Sequence, residues 1–479
     1  MSQPRKFDRD AILTDPSLPT VYSTLVDLAT EFAVLGEVET AKTLISLLLR
    51  DTTSDWQRDQ VKDLETFLAE SDRRPEDIPE SERKRASSED EDDEKQLTQW
   101  LDRARDEDPD RVPETQARAL TDALVMAVKL ASRKTTSLYD MEKDARVQEV
   151  LEHASKRLHA PTVIDRLAER QDVHRLLCAG ALARKFPIDK SKIETLGKEV
   201  VTTFTERFNT GRQAHESETW SMKEILLQIE RNTKANAVNE YKEVDQPVPE
   251  TLFILPPTTN EQITGLKKRL DMTLPDDYKE FFKISNGFGR AWNGYYCDPG
   301  LHKVQDVSWI ESDFEVPFLE FHESISGSQE LQLSDGREWP SSGPMIEIES
   351  EDVLSVSLLP PKQAKSILEA YEEAMNGSDT SDDGKKQTLK VIKARYGSHE
   401  EMQKLAWFAV EQEDDQTNPC GTFRQLLEDK LRKSVKRPER DQPDREATSI
   451  AYSCLGQDSP LNEVEVWHKS PETRMLESC

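Results

Sequence analysis

The segment from Leu274 to Gly287 limits the possible folds of this chain more than any other, because it specifies a short helix at both ends. Pro275 suits the first turn, where its missing N–H is not needed, and the two aspartates after it oppose the positive end of the helix dipole. Asn286 and Gly287 are typical of a left-handed cap that ends a helix. The face between these ends carries three aromatic residues, Tyr278, Phe281 and Phe282. We therefore predict a helix whose aromatic face is buried in a domain core.

Helix and strand patterns continue on both sides of this segment. A preceding helix begins at Thr259 or Asn260, and apolar runs predict strands at 304–310, 316–321, 345–349 and 354–358. Later helices are predicted after Pro360, after a capping box at Ser398 that continues to Ala409, and after a second capping box at Thr422. An acidic loop rich in Gly, Ser and Asp interrupts them at 376–386. The sequence thus predicts an α+β domain over 250–435, with a mixed β-sheet flanked by helices.

This pattern resembles the signature of the SUKH superfamily, in particular the Smi/Knr-type regulators of fungal cell-wall synthesis. The residues that carry the resemblance are Leu274, Pro275, Tyr278, Phe281, Asn286 and Gly287. Bacterial members of the superfamily include immunity proteins that neutralise toxins. The resemblance implies a non-catalytic domain that binds other proteins, and it implies that the face around the loop after the signature helix contacts the partner.

The N-terminal half reads as helical throughout. Residues 1–70 show three- and four-residue apolar spacing and resemble a single tetratricopeptide-type hairpin, although a generic hairpin packed on its neighbours fits the same pattern. Residues 97–242 carry further apolar stripes with little β-branched alternation, which predicts an all-α domain of five or six helices. We therefore expect a multi-domain protein with an all-α N-terminal region followed by the α+β domain.

Two charged segments have too few apolar residues to form a core. Residues 71–96 are predicted to be an acidic disordered linker, and residues 436–479 a charged, mostly disordered tail. Ser87 and Ser88 each have an acidic residue three positions later. The linker is either a solvated spacer or a site for an acidophilic kinase, whose phosphates would act through a basic partner.

The formal net charge of −29 limits the possible partners. So acidic a surface repels nucleic acid and anionic membranes, and this leaves other proteins with basic surfaces as the expected partners. Five cysteines without a CxxC pair predict neither a disulfide framework nor a zinc site, and we expect no metal and no cofactor. His174 and Cys178 share a helix face, but a core cysteine beside a histidine is the favoured interpretation. With no secretory signal or membrane span visible, we expect a cytoplasmic protein, with the nucleus as an alternative.

Common enzyme signatures are missing from the sequence, including phosphate-binding loops, HExxH and GxSxG, so we predict that the protein is not an enzyme. The loop after the signature helix carries aromatic residues of the kind enriched at binding hot spots. The predicted partner-binding residues are Trp292, Tyr295, Tyr296 and Trp309. Burial of all four under the sheet is an equal alternative. Two other functions stay open: a helical scaffold whose C-terminal domain is only structural, and a hydrolase that uses Cys297 and His302.

Overall fold

The computed structural model describes most of the chain and leaves out several segments. The described residues are 7–51, 55–70, 90–105, 113–158, 161–186, 188–243, 246–311, 331, 333, 337, 339–351, 354–378, 380–413, 416–435, 450 and 454. Within them, no helix is long and apolar enough to cross a membrane.

The N-terminal part is helical, as predicted. Its helices are α1 (Arg9–Thr14), α2 (Leu18–Val34), α3 (Val38–Asp51), α4 (Asp55–Ala69), α5 (Asp90–Arg105), α6 (Pro113–Ser132), α7 (Leu138–Lys143), α8 (Ala145–Ser155), α9 (Pro161–Ala168), α10 (Gln171–Cys178) and α11 (Lys190–Thr210). The hydroxyl of Ser17 begins α2 by accepting a hydrogen bond from the amide of Thr20. Gly36 lets the chain turn into α3 with φ +82°, and a Cβ there would lie 2.6 Å from Cα of Gly180. Only glycine therefore permits the close contact between this turn and the end of α10.

One apolar core joins all of these helices, so the region predicted as 1–70 packs together with the part of the predicted 97–242 domain that ends at α11. Phe32, Leu124 and Leu177 are among its buried residues. The core also contains Ile450 and Cys454 from the predicted tail, and the amide of Asp189 donates to the Cys454 carbonyl at 2.8 Å. At least these two positions of the tail are thus anchored to the helical half.

The predicted linker ends earlier than position 96, because α5 begins at Asp90. Leu97 and Leu101 enter the core, and buried Asp93 pairs with Lys129 of α6, at 3.1 Å, and with Arg133, the residue after α6. These contacts with α6 supply the apolar and ionic support that the acidic sequence lacks by itself. Residues 71–89, with Ser87 and Ser88, lie outside the described residues.

The C-terminal part combines helices with a five-stranded sheet, which confirms the predicted fold class. A 3-10 turn (Glu216–Thr219) leads into it. Its helices are α12 (Met222–Asn236), α13 (Val238–Glu243), α14 (Asn260–Leu270), α15 (Asp276–Ile284), α16 (Pro361–Asn376), α17 (Asp382–Tyr396), α18 (His399–Gln403) and α19 (Phe423–Ser434). Its strands are β1 (Ala291–Trp292), β2 (Cys297–Asp298), β3 (Ser308–Ile310), β4 (Met345–Glu351), β5 (Leu354–Leu359), β6 (Phe408–Glu413) and β7 (Gln416–Gly421).

The main sheet has the strand order β3-β4-β5-β6-β7, and every described pair is antiparallel instead of mixed. Helices cover both faces. Ile346, Val356 and Ala409 face a core shared with α12, α14, α15 and α19, whereas Phe408 and Val410 face a core shared with α16, α17 and α18. Helix α12 was predicted to belong to the all-α domain at 97–242. Its apolar face is instead buried in the core of the C-terminal domain.

Two predicted elements after α16 differ from the structure. The acidic loop at 376–386 is shorter than predicted, because the hydroxyl of Ser381 accepts from the amide of Gly384 and begins α17. The helix predicted from Ser398 to Ala409 stops at Gln403, and Phe408 begins β6, which pairs with β5. Consecutive side chains of β6 point to opposite faces of the sheet and are buried on both. The predicted strand at 316–321 lies outside the described residues.

The signature helix is α15, and its aromatic face is buried as predicted. Tyr278, Phe281 and Phe282 pack on one another and on Phe423 of α19. Leu274 and Pro275 are buried at its start. The helix ends at Ile284, with Ser285 as an extended cap, so the predicted left-handed cap is displaced beyond the helix end.

Asn286 and Gly287 hold the segment that follows α15. The Asn286 side-chain oxygen accepts from the Thr258 hydroxyl at 3.0 Å and from the Val304 amide at 2.9 Å. Gly287 has φ +109°, and a Cβ there would lie 2.9 Å from the Leu301 carbonyl oxygen. Both residues therefore let the chain pass close to the 301–304 segment.

We expect Phe281→Ala to lower the free energy of unfolding by ~3–5 kcal/mol, the usual cost of removing a buried aromatic ring. Gly287→Val should also destabilise the domain, because a β-branched residue resists positive φ and would meet Leu301. The measurement is chemical denaturation of the full chain. Glu280→Ala, at an exposed position of α15, is the matched control and should change stability little. Equal stability of all three variants would contradict the buried role of this helix.

Candidate functional site

A short hairpin after the signature helix carries two exposed tyrosines. Strands β1 and β2 pair with Trp292 opposite Cys297, and residues 293–296 form the turn. The Asn293 amide donates to the Tyr296 carbonyl at 3.0 Å, and Gly294 has φ +103°. The Asn293 side-chain oxygen accepts from the amides of Tyr295 and Tyr296 at 2.9 and 3.0 Å. One asparagine side chain thus fixes the backbone of the whole turn.

Two of the four predicted binding residues lie exposed on this turn. Tyr295 is 43% exposed and Tyr296 is 37% exposed. Both side chains are carried by a backbone that is already ordered. We refer to residues 293–296 as the tyrosine turn.

Trp292 is only 2% exposed, so the prediction that its ring contacts a partner is wrong. It is buried with Ala237, Tyr241 and Cys297, against the junction of α12 and α13. Its amide also donates to the Thr233 hydroxyl at 3.0 Å. The tryptophan therefore attaches the hairpin to the helices beneath it, which leaves the two tyrosines at the tip.

Trp309 is 38% exposed but belongs to a different part of the surface. It lies on β3, at the edge of the sheet as far as the described residues show, opposite Ile346, and its Nε1 donates to the Leu270 carbonyl at 3.2 Å. The base of the hairpin contacts the opposite end of β4, where Arg290 pairs with Glu351, the last residue of the strand, at 2.6 Å. From position 346 to position 351 a strand extends roughly 16 Å. The predicted aromatic cluster is thus divided between two sites.

A buried ionic network lies directly under the tyrosine turn, and sequence reasoning missed it. Lys430 of α19 donates to Asp298 at 2.8 Å and to Glu349 of β4 at 2.9 Å, and none of these side chains is more than 6% exposed. The other oxygen of Asp298 accepts from the Asn293 side chain at 2.7 Å. The turn is therefore connected by hydrogen bonds to a helix and to the main sheet. A lysine among the apolar residues of α19 was the available signal.

Burial and charge act together on the titration of this network. Burial raises the pKa of Glu349 to about 7, and Asp298 adds to this while Lys430 opposes it. Burial alone would lower the pKa of Lys430, but Asp298, Glu349 and Glu411 more than reverse the effect and hold it well above its usual value. The lysine is therefore charged, and the proton that can leave near neutral pH belongs to Glu349.

The alternative catalytic pair finds little support in the geometry. Burial raises the pKa of Cys297 to about 12, and the nearby carboxylates of Glu240 and Glu351 add to the rise. Its thiol therefore stays protonated, whereas a nucleophilic cysteine needs its thiolate. Neither a hydrogen bond nor an ion pair joins Cys297 to His302 in the described part of the chain. The His302 amide donates instead to the Ile348 carbonyl at 2.7 Å.

The side chains of His174 and Cys178 each contact a backbone carbonyl group. The His174 Nε2 lies 2.7 Å from the Ala168 carbonyl oxygen, its ring packs edge-on against Phe67, and burial lowers its pKa. The Cys178 thiol donates to the Phe67 carbonyl at 3.6 Å. Among the described residues, no group of three or more His, Cys, Asp or Glu residues is placed to hold a metal ion.

Further exposed apolar side chains lie on the helix ends that support the hairpin. Val238 is 47% exposed and follows Ala237, which packs on Trp292; Val435 is 62% exposed and follows Ser434. The Asn236 side chain joins these two ends by donating to the Ser434 carbonyl at 3.0 Å. The hairpin thus packs on helix ends at which other apolar side chains also reach solvent.

Comparison with protein families identifies the domain that carries this site. Residues 257–376 match the SMI1 / KNR4 family (SUKH-1), from the segment before α14 to the end of α16. The match confirms the SUKH superfamily for this C-terminal part, and it contains the tyrosine turn, Asp298 and Glu349. Lys430 lies beyond it. Comparisons with curated proteins and with solved structures gave no significant match.

We expect Trp292→Ala to destabilise the domain by ~3–5 kcal/mol, because its ring is buried against α12 and α13. Trp309→Ala removes the same side chain from a half-exposed position and should cost clearly less. Thermal and urea unfolding of the full chain would measure both effects. Equal losses in the two variants would contradict an anchoring role for Trp292.

Proposed function

We propose that this protein is a non-catalytic adaptor that binds other proteins through its SUKH domain, with the tyrosine turn at the centre of the contact. The observation that carries the proposal is the pair of exposed tyrosines, Tyr295 and Tyr296, on a backbone fixed by Asn293. Tyrosine is enriched at interface hot spots because its large ring and polar hydroxyl have few rotatable bonds.

The rigidity of the turn favours binding on entropic grounds. Ordering a loop upon association lowers affinity, and a contact surface that is already ordered avoids most of that cost. Asn293 and Asp298 order the turn from within the domain, and Trp292 holds its base. The tyrosines can therefore contribute contact area without a large rearrangement of the free protein.

The charge of the chain supports a partner with a basic surface. The protein carries a net charge of −29, and the carboxylates of Glu240 and Glu351 lie close enough to the hairpin to raise the pKa of Cys297. Charges at the rim of an interface mainly accelerate association with a partner of opposite sign. We therefore propose that a basic protein surface meets the tyrosine turn and its acidic surroundings.

The family match supports a regulatory role for such binding. For a Smi/Knr-type domain the resemblance suggests regulation of fungal cell-wall assembly or of a linked signalling pathway, and we include this role in the proposal, with the cytoplasm as its location. The raised pKa of Cys297 supports a function without catalysis. Trp309, on the edge strand, provides a separate exposed contact residue.

We expect the double variant Tyr295→Ala, Tyr296→Ala to weaken partner binding by about 30-fold or more, equivalent to ~2 kcal/mol. Tyr139→Ala is the matched control, because Tyr139 is a 63% exposed tyrosine of the helical half. Partners would be identified by proximity labelling with the full chain, and their affinities measured by calorimetry. Binding should also weaken with added salt.

The possible outcomes show which half of the protein binds the partner. Full affinity of the folded double variant, together with a loss in Tyr139→Ala, would overturn the proposal in favour of a helical scaffold. An affinity that does not change with salt would contradict the basic partner while leaving the tyrosine contact in place.

A further inference from the structure

Two buried carboxylates share a single ammonium group beneath the tyrosine turn. Asp298 and Glu349 both accept hydrogen bonds from the Lys430 Nζ, and all three side chains are almost fully buried. With both carboxylates ionised, the group carries one uncompensated negative charge. In a low-dielectric interior such a site is stabilised when one of the two acids binds a proton.

The hydrogen bonds indicate which acid takes the proton. Asp298 accepts from Lys430 through one oxygen and from Asn293 through the other. Glu349 accepts from Lys430 through Oε1, whereas its buried Oε2 has no hydrogen-bond partner in the described part of the chain. The carboxylate with fewer donors is the poorer anion. Glu349 is therefore the proton acceptor of the pair.

The other charges that act on Glu349 do not remove this imbalance. Glu411 of β6 raises the pKa of Glu349 further, although it is paired with Lys433 at 3.1 Å. At the end of β4, Glu351 pairs with Arg290. A cavity of about 10 Å³ beside Glu349 and Lys430 is lined mainly by Ile229, Phe288, Ala291, Leu301 and Leu427. That volume is close to the minimum for one water molecule, so the ionised carboxylate gains little solvation there.

We infer that protonation of Glu349 controls how firmly the tyrosine turn is held. When Glu349 is protonated, the Lys430 ammonium is left to Asp298, which orients Asn293 and through it the backbone of Tyr295 and Tyr296. When Glu349 is ionised, it competes for Lys430 and adds a buried charge next to Asp298. The turn is thereby loosened. This regulation rests on the proposed binding role of the turn.

The pH range follows from the direction of the shift. The pKa of Glu349 rises from 4.5 to about 7 on folding, so the folded protein binds the proton more tightly than the unfolded chain does. The stabilisation by this proton is fully present below the unfolded value and is lost as the pH rises through the folded value. Between pH 4.5 and about pH 7, the equilibrium constant for folding falls by up to about tenfold per pH unit.

The first test measures the unfolding of the full chain against pH, from about pH 4.5 to pH 8.5, a range that spans both values. Glu349→Gln should abolish the part of the pH dependence that belongs to this proton. Glu347→Gln, on the same strand, is the matched control and should keep the wild-type profile. A profile in Glu349→Gln that is identical to wild type would overturn the inference.

The second test reads the turn itself by hydrogen exchange of residues 293–298 at pH 6 and pH 8, corrected for intrinsic exchange rates. The wild type should be more protected at pH 6, whereas Glu349→Gln should be equally protected at both. If Glu349→Gln prevents folding, Asp298→Asn supplies the alternative. Asp298 raises the pKa of Glu349, so without its charge the turn should lose protection at a lower pH than in the wild type. An unchanged transition, or a turn that does not respond to pH, would refute the coupling.

The two proposals fail in different ways. Both pH tests use the free protein, so they do not depend on any partner. A turn that responds to Glu349 but whose tyrosines do not affect binding would overturn the proposed function alone. Loss of binding in the tyrosine variant, combined with hydrogen exchange of the turn that does not change with pH, would overturn only the proposed regulation.

Discussion

The buried ammonium of Lys430 connects three parts of the C-terminal domain that lie far apart in the sequence. It joins α19 to the sheet through Glu349 and to the hairpin through Asp298, at 2.9 and 2.8 Å. Loss of Lys430 would leave two buried carboxylates without their shared counter-charge, which is far more destabilising than replacement of the whole group by apolar residues. The network therefore determines a specific arrangement of helix, strand and hairpin, beyond the nonspecific attraction of apolar surfaces.

Local signals explain why α15 and the fold class could be predicted from the sequence. Pro275 and the spacing of Tyr278 and Phe281 act within a few residues, and they keep their meaning whatever the rest of the chain does. The ionic network could not be found in this way. Positions 298, 349 and 430 are far apart in the sequence, and only the pairing of the strands and the docking of α19 bring them together. A buried lysine in an apolar stripe indicates that a partner exists, but not which residue it is.

The wrong predictions share one physical cause. Whether a side chain is buried depends on which other elements of the fold pack against it. Trp292 and Tyr295 have the same aromatic character in sequence, yet α12 and α13 cover the first and leave the second exposed. The run that begins at Phe408 could form a helix until β5 supplies a strand to pair with it. Helix α5 likewise depends on α6 and the residue after it, because Lys129 and Arg133 neutralise Asp93.

Polar and apolar contacts also join the C-terminal part of the chain to the helical half. Helix α17, which follows the segment matched to the SUKH-1 family, contacts the end of α3: Lys390 pairs with Asp51 at 2.8 Å, and Tyr22 donates to the same carboxylate at 2.7 Å. Ala394 is buried in the core of the helical half. Separate expression of either half would expose this apolar and ionic contact to water. The helical region is therefore part of the structural environment of the SUKH domain, and the proposed binding should be measured with both halves present.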